Sequence, residues 1–373
     1  MVRLTVLAGM AALVLVPAAC GGNGPDVAAD STMPDSLGGV PADTVVKWVE
    51  YAESSDEGLW EERTDRLLFV PSDSLGGGMD PPFYDPYSFC AAGDTIFVAD
   101  QSTCQVVAVR AGGEALWRAG GQGEGPGRFS RMGGIAVSSR HVCALNPVLG
   151  RVEIFGRDGE FIRSLEIQLP HDASGLADGR FAVASRRQPG GHLHLVDPDS
   201  GVVRSFGEAV VDEAYDNIGM MDMLKVCAGP GDTLAVFNRY QGTLAVYEPE
   251  GWTCVYRGSR TFPDQPEPPR MEQSGDEMRF YMFPMASSAF VGPEGQLNTV
   301  IHFQSDGSFL SEIGGSGQAP VTVVDRYSWS GQYLDSYCLP DSFLGSARKL
   351  GDGRLAALDY RRGTLRLFRQ LER

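Results

Sequence analysis

One strand-like phrase recurs six times along the chain: Ile96 to Asp100, Val142 to Asn146, Phe181 to Ser185, Leu234 to Asn238, Leu297 to Ile301 and Leu355 to Asp359. Successive copies start 39 to 63 residues apart, a period that fits sheet-based repeat arrays carrying insertions. Such a repeat cannot bury an apolar face alone and has to stack against its neighbours.

The surroundings of each phrase turn it into a chain of hairpins. A second run rich in β-branched and large apolar residues follows at Gln105 to Arg110, Arg151 to Phe155, His192 to Val196, Thr243 to Tyr247, Pro320 to Val324 and Thr364 to Phe368. In most copies a third run comes next, after Gly112-Gly113, Asp158-Gly159, Asp199-Ser200-Gly201 or Pro249-Glu250-Gly251, pairs and triplets that accept the positive φ of tight turns. A short strand before each phrase, from about Ser88 onward, completes four. The expectation is an all-β, six-bladed β-propeller of four-stranded antiparallel blades. The last copy ends after its third strand, so an N-terminal strand, expected at about residues 60–70, has to close the ring.

With 373 residues, 43% hydrophobic content and 47 Gly, the chain has enough apolar material for a large core and the turn residues that many short strands need. The N-terminus reads as a targeting segment. Arg3, the apolar run Leu4 to Val16 and the small residues Ala18 and Ala19 precede Cys20, so residues 1–19 are expected to be a signal peptide. Ala18-Ala19-Cys20-Gly21 resembles the lipobox of bacterial lipoproteins, with Pro17 where that pattern has Leu. The resemblance implies acylation of Cys20 and attachment to the bacterial cell envelope, at the outer membrane or periplasm of a Gram-negative cell; secretion is the other outcome. Residues 20–44, rich in Gly, Pro, Asp and Ser, are expected to be a flexible tether, and 45–373 the propeller.

Six further cysteines, Cys90, Cys104, Cys143, Cys227, Cys254 and Cys338, allow 15 disulfide pairings in an exported protein. Five fall on expected strands, where cysteine commonly serves as a small hydrophobe. Cys104 falls in a turn and is expected to be the most exposed thiol.

The segment Gly120-Gly121-Gln122-Gly123-Glu124-Gly125-Pro126-Gly127-Arg128-Phe129, followed by Gly134-Ile135-Ala136-Val137, resembles an NHL repeat, and the chain is similar to exported bacterial six-bladed propellers that carry such repeats. Here the Gly-Pro-Gly stretch is expected to make the sharp passage between blades, with Phe129 plugging the gap. A phosphate cradle would need Lys and Ser or Thr leading into a helix. The RNA binding familiar from NHL propellers is disfavoured by a net charge of −17.

In four-stranded blades, the turns between strands two and three and the crossings between blades share one face, here called the top. That face collects the phrase-ending residues Asp100, Asn146, Ser185, Asn238 and Asp359 and the insertions 208–221, 259–285 and 304–318. Long insertions on one face of an array often mark its binding side. The candidate binding residues are Tyr215, Asn217, Asn146, Asn238, Arg270, Phe280, Tyr281 and Phe283. The phrase-ending residues also suit a simpler role as turn starters that bond backbone N–H groups.

No metal set or catalytic residues can be assigned. His192 and His194 lack an evident third ligand, and the sparse histidines do not reproduce the channel set of propeller lyases acting on hydroxyglycine peptides. A channel Ca²⁺ stays open as a cofactor, by resemblance to lactonase-type propellers. The expected function is that of a monomeric, envelope-anchored, non-catalytic binding or scaffold propeller recognising a protein, peptide or glycan, with no nucleic acid and no required cofactor. The rival is a Ca²⁺- or Zn²⁺-dependent hydrolase or lyase of the lactonase-like type.

Overall fold

The computed structural model describes residues 3–4, 68–78, 81–186, 191–207, 223–239, 243–259, 270–274, 277–281, 286–304, 320–339 and 344–371. Its strands form six four-stranded antiparallel sheets. From the inside outward, blade 1 comprises Pro86–Ala92, Thr95–Asp100, Gln105–Arg110 and Ala115–Gly120. Blade 2 comprises Ile135–Val137, His141–Asn146, Arg151–Gly156 and Phe161–Glu166, and blade 3 Pro170–Gly175, Phe181–Ser185, Leu193–Asp197 and Gly201–Phe206. Blade 4 follows with Leu224–Ala228, Leu234–Asn238, Thr243–Glu248 and Thr253–Ser259, and blade 5 with Ala286–Val291, Leu297–Gln304, Pro320–Tyr327 and Tyr333–Leu339. Blade 6 contains Leu344–Lys349, Leu355–Asp359 and Thr364–Gln370, with Phe69–Leu75 as its outer strand. Each repeated phrase is thus the second strand of a blade.

The burial pattern explains why that strand stands out in the sequence. A second strand is covered on both faces by the adjacent blades, so it reads as a continuous apolar run rather than an alternating one. Phe181–Ser185 is buried at every position, whereas the outer strand Phe161–Glu166 is buried only at Leu165. The core is correspondingly divided into six wedges, one at each blade seam. At the seam of blades 2 and 3 the inner strands touch through backbone. A Cβ at Gly175 would lie 2.0 Å from the Val137 carbonyl oxygen.

The closing strand is Phe69–Leu75, displaced from the expected 60–70, and it pairs from Phe69 opposite Gln370 to Leu75 opposite Leu365. Phe69 and Leu75 are buried, while Pro71 to Ser74 face solvent. An outer edge strand needs no inward residues at those positions and tolerates Pro71, whose missing N–H is not required there. The Pro-Ser-Asp-Ser stretch therefore looks like a loop in the sequence while being a strand in the fold. Residues 60–67 lie outside the described residues.

The Gly120-to-Phe129 passage is structural. Phe129 is fully buried in the seam of blades 1 and 2, its ring 6.2 Å from that of Phe155. Arg128 Nη1 donates to the Gly120 carbonyl at 2.6 Å, and the Gly127 N–H donates to Glu153 Oε2 at 3.0 Å. Glu153 is itself buried, paired with Arg151 at 3.1 Å, and accepts from the Ser164 hydroxyl.

Cys104 departs from expectation: it is only 7% exposed. The glycine-rich passage folds back over it, its carbonyl accepting the Gly121 N–H at 2.7 Å. Cys90, Cys143, Cys227 and Cys338 are buried on strands, and Cys254 is half-buried.

In the insertion after blade 4, Arg270–Ser274 and Glu277–Tyr281 form an antiparallel hairpin outside the blades, and Arg3–Leu4 pairs parallel with its second strand.

Candidate functional site

The inner strands all run from the top face to the opposite face around a central channel. Their charged side chains are Asp172, Lys225, Arg348 and Lys349. Asp172 and Lys225 sit near the top and the other two near the floor, so three cations face one carboxylate in a chain of net charge −17.

The mouth is built at the starts of the inner strands and the turns that end the repeated phrases. Asp172 accepts the Val226 N–H at 2.9 Å and pairs with Lys225 at 3.6 Å, joining blades 3 and 4. His171 Nε2 accepts the Leu224 N–H at 2.8 Å, which leaves the ring proton on Nδ1, turned toward the Leu169 carbonyl. Enclosure, reinforced by Lys225 and Arg186, pushes His171 down to about 3, so it is neutral at physiological pH. Leu169 holds a left-handed backbone at φ 48° while being 48% exposed, an uncommon combination for a branched residue. Its carbonyl accepts the Arg186 N–H at 3.2 Å.

Tyr360 enters from blade 6 and lies flat against backbone, since a Cβ at Gly345 would meet its ring at 2.0 Å. Its hydroxyl bonds Ser346, and enclosure in the channel raises its pKa, opposed by nearby Arg239. Tyr360 is nonetheless 38% exposed. Arg186, Arg239, Lys225, Tyr360 and His171 thus gather at one opening. The sequence reading missed this set because its residues are isolated positions spread over blades 3, 4 and 6.

The floor is a cavity of about 370 Å³ lined by all six inner strands, Cys90, Ser174, Cys227 and Arg348 among them. Burial pushes the Cys90 and Cys227 thiols up to about 12, against the opposing pull of Arg348.

The expected site residues separate into groups. Asn146 is fully buried, its amide nitrogen donating to the Arg128 carbonyl at 3.0 Å, so it anchors the blade passage. Asn238, at the matching position of blade 4, is equally buried. Arg270, Phe280 and Tyr281 fall on the extra hairpin, known here by its backbone. Tyr215, Asn217, Phe283 and Cys20 lie outside the described residues.

The phrase-ending carboxylates work as turn anchors. Asp100 accepts from the N–H groups of Tyr84, Asp85 and Ser102 and from the hydroxyls of Ser102 and Thr103. Asp359 accepts from the N–H groups of Arg361 and Arg362 and from the Arg362 guanidinium at 2.9 Å. Ser185 Oγ lies 2.7 Å from His194 Nε2, within its own blade. These oxygens do not converge on the channel. Among the described residues no group of three or more His, Cys, Asp and Glu side chains suits a metal ion.

No protein-family profile and no curated protein matches the sequence. Among solved structures, a member of the DUF4221 family from Bacteroides vulgatus is similar over 83% of this chain and 100% of its own, with a TM-score of 0.57 at 9% identity. U3-55K is similar over 81% of this chain and 100% of its own, with a TM-score of 0.51 at 11% identity. Virginiamycin B lyase from Staphylococcus aureus is similar over 82% and 100%, with a TM-score of 0.48 at 10% identity. These are likenesses of fold. No helix among the described residues is long and apolar enough to cross a membrane.

Proposed function

We propose that this chain is a non-catalytic binding propeller, held at the bacterial envelope through acylated Cys20, that receives a protein, peptide or glycan on its top face above the channel mouth. The observation that carries this reading is the sidedness of its exposed apolar side chains. Tyr84, Val148, Leu169 and Tyr360 protrude from top-face connections, with Val148 60% exposed. The other large apolar side chains exposed among the described residues lie on outer strands or at the C-terminal end, and none lies on a turn of the opposite face. Exposed apolar groups beside polar ones on one face suit a recognition surface, and the cationic mouth supplies polar contacts at its centre. The insertions bearing Tyr215, Asn217, Arg270, Phe280, Tyr281 and Phe283 would emerge on the same face and supply its walls. The protein acts as a monomer without cofactor or nucleic acid, and residues 20–44 form its tether.

The test is capture of ligands from arrays of envelope peptides and glycans by the full-length protein and by a Tyr360→Ala, Lys225→Ala double variant. Retention by the wild type and at least tenfold weaker retention by a normally melting variant is the expected result. Chelator-sensitive turnover of lactones or esters would overturn the non-catalytic reading in favour of the metal-dependent hydrolase. Cys20→Ser is expected to abolish labelling by a radioactive fatty acid.

A further inference from the structure

We infer that the floor of the channel is a carboxylate-binding site, with Arg348 as its receptor, separate from the top-face surface and independent of it. Arg348 extends from the inner strand of blade 6, and its Nη1 donates to the Ala347 carbonyl at 2.8 Å and to the Ala289 carbonyl at 3.0 Å. Two carbonyls on different blades therefore fix the plane of the guanidinium. Its Nε and Nη2 have no acceptor among the described residues, and these two parallel N–H groups form the edge that matches the two oxygens of a carboxylate.

Among the described residues, the cavity lined by Arg348 contains no acid to neutralise it. Its lining carries Arg348 and Lys349 and no Asp or Glu. Four carboxylates on the surrounding turns are engaged elsewhere: Glu294 with Arg326, Asp352 with Arg354, Asp178 with Arg180, and Asp232 with the Ala177 N–H. The nearby thiols Cys90 and Cys227 are neutral and do not compete for the cation. A guanidinium without a counter-ion in an acidic disc draws in anions and repays their desolvation through a charge-assisted pair.

The walls select among anions. Half-buried Ala91, Val137, Ala228 and Val291 offer apolar surface, and Ser174, on the blade opposite Arg348, adds a hydroxyl. Ser174 Oγ already accepts the Ala228 N–H at 2.9 Å and keeps its own proton to donate. About 370 Å³ equals roughly a dozen waters at ~30 Å³ each, room for a short organic acid or one terminal residue of a peptide. One bidentate edge and a partly apolar wall suit a singly charged carboxylate on a small apolar body better than a phosphate.

Calorimetric titration of the full chain with isobutyrate, isobutyramide, inorganic phosphate, and Ala-Ala-Val with a free or amidated C-terminus tests this. Isobutyrate is expected to bind and to raise the melting temperature, with isobutyramide at least tenfold weaker on the wild-type protein. Arg348→Gln is expected to weaken isobutyrate at least tenfold, and Arg348→Lys to restore part of the loss. Tighter binding of the free-acid tripeptide than of isobutyrate assigns the source to peptide ends, and the reverse order to small acids. Equal binding of isobutyramide, preference for phosphate, or undiminished binding by a folded Arg348→Gln variant overturns the assignment. The isobutyramide comparison decides the matter even if Arg348→Gln does not fold.

Discussion

The rings of Phe69 and Tyr337 lie 5.5 Å apart, centroid to centroid, across the seam between blades 6 and 5. The first residue of the closing strand thus reaches past the blade it completes and into the next. Phe69→Ala is expected to cost about 3–5 kcal/mol, the range for truncating a buried aromatic. Deleting the chain through Leu75 removes the whole outer strand of blade 6 and is expected to prevent cooperative unfolding of the ring. Urea denaturation of both variants checks this, and a Phe69→Ala protein as stable as wild type would refute it.

The Glu153 carboxylate holds the passage between blades 1 and 2 by accepting the Gly127 N–H. Glu153→Ala leaves that buried donor and Arg151 without this partner and is expected to destabilise the fold by about 2–4 kcal/mol. Arg128→Ala, which removes a more exposed bond, is expected to cost about 1 kcal/mol. The ranking of the two urea midpoints is the measurement.

Asp100 gathers five donors from two connections of blade 1, so Asp100→Ala unfastens the turn after its second strand and the crossing before its first. Faster hydrogen exchange at residues 84–85 and 101–104, with the rest of the ring unchanged, is expected. Exchange unaltered at both segments would show that the network is dispensable.

Acid is expected to destabilise the fold through its buried histidines. Burial, with His192 alongside, holds His194 down to about 4, while an unfolded chain takes up that proton near 6.5. Between those values the unfolded state binds more protons, so stability is complete above about 6.5 and falls as pH drops toward 4. His171 contributes with the same sign. Urea midpoints at pH 7.5 and 5 are expected to differ in wild type, and His194→Gln to reduce the difference by an amount on the order of 1–3 kcal/mol in stability. An unchanged difference in that variant would rule His194 out as a source.

Burial lifts Cys90 and Cys227 to about 12 and Cys143 higher still. Thiolate is therefore scarce at pH 8, and iodoacetamide is expected to label these three slowly in the native protein and rapidly in urea. Site-resolved mass spectrometry reads the outcome, and rapid native labelling of Cys143 would contradict its burial.

The blades were legible because a strand covered on both faces leaves an apolar mark such as Phe181 to Val183, and turns such as Asp158-Gly159 punctuate it. The closing strand was harder to place because an edge strand carries no such mark across Pro71 to Ser74. Cys104 looked exposed because local sequence does not reveal that Gly120 and Gly121 fold back over it. The channel was not legible at all. Lys225, Arg348 and Tyr360 are 12 to 135 residues apart in pairs that no local pattern links, and ring closure alone brings them around one axis.

Where Gly175 meets Val137, the spacing of two neighbouring inner strands is set by main chain rather than by side chains that swing aside. No side chain stands between these two strands to yield, so a change of spacing there would have to move a whole blade.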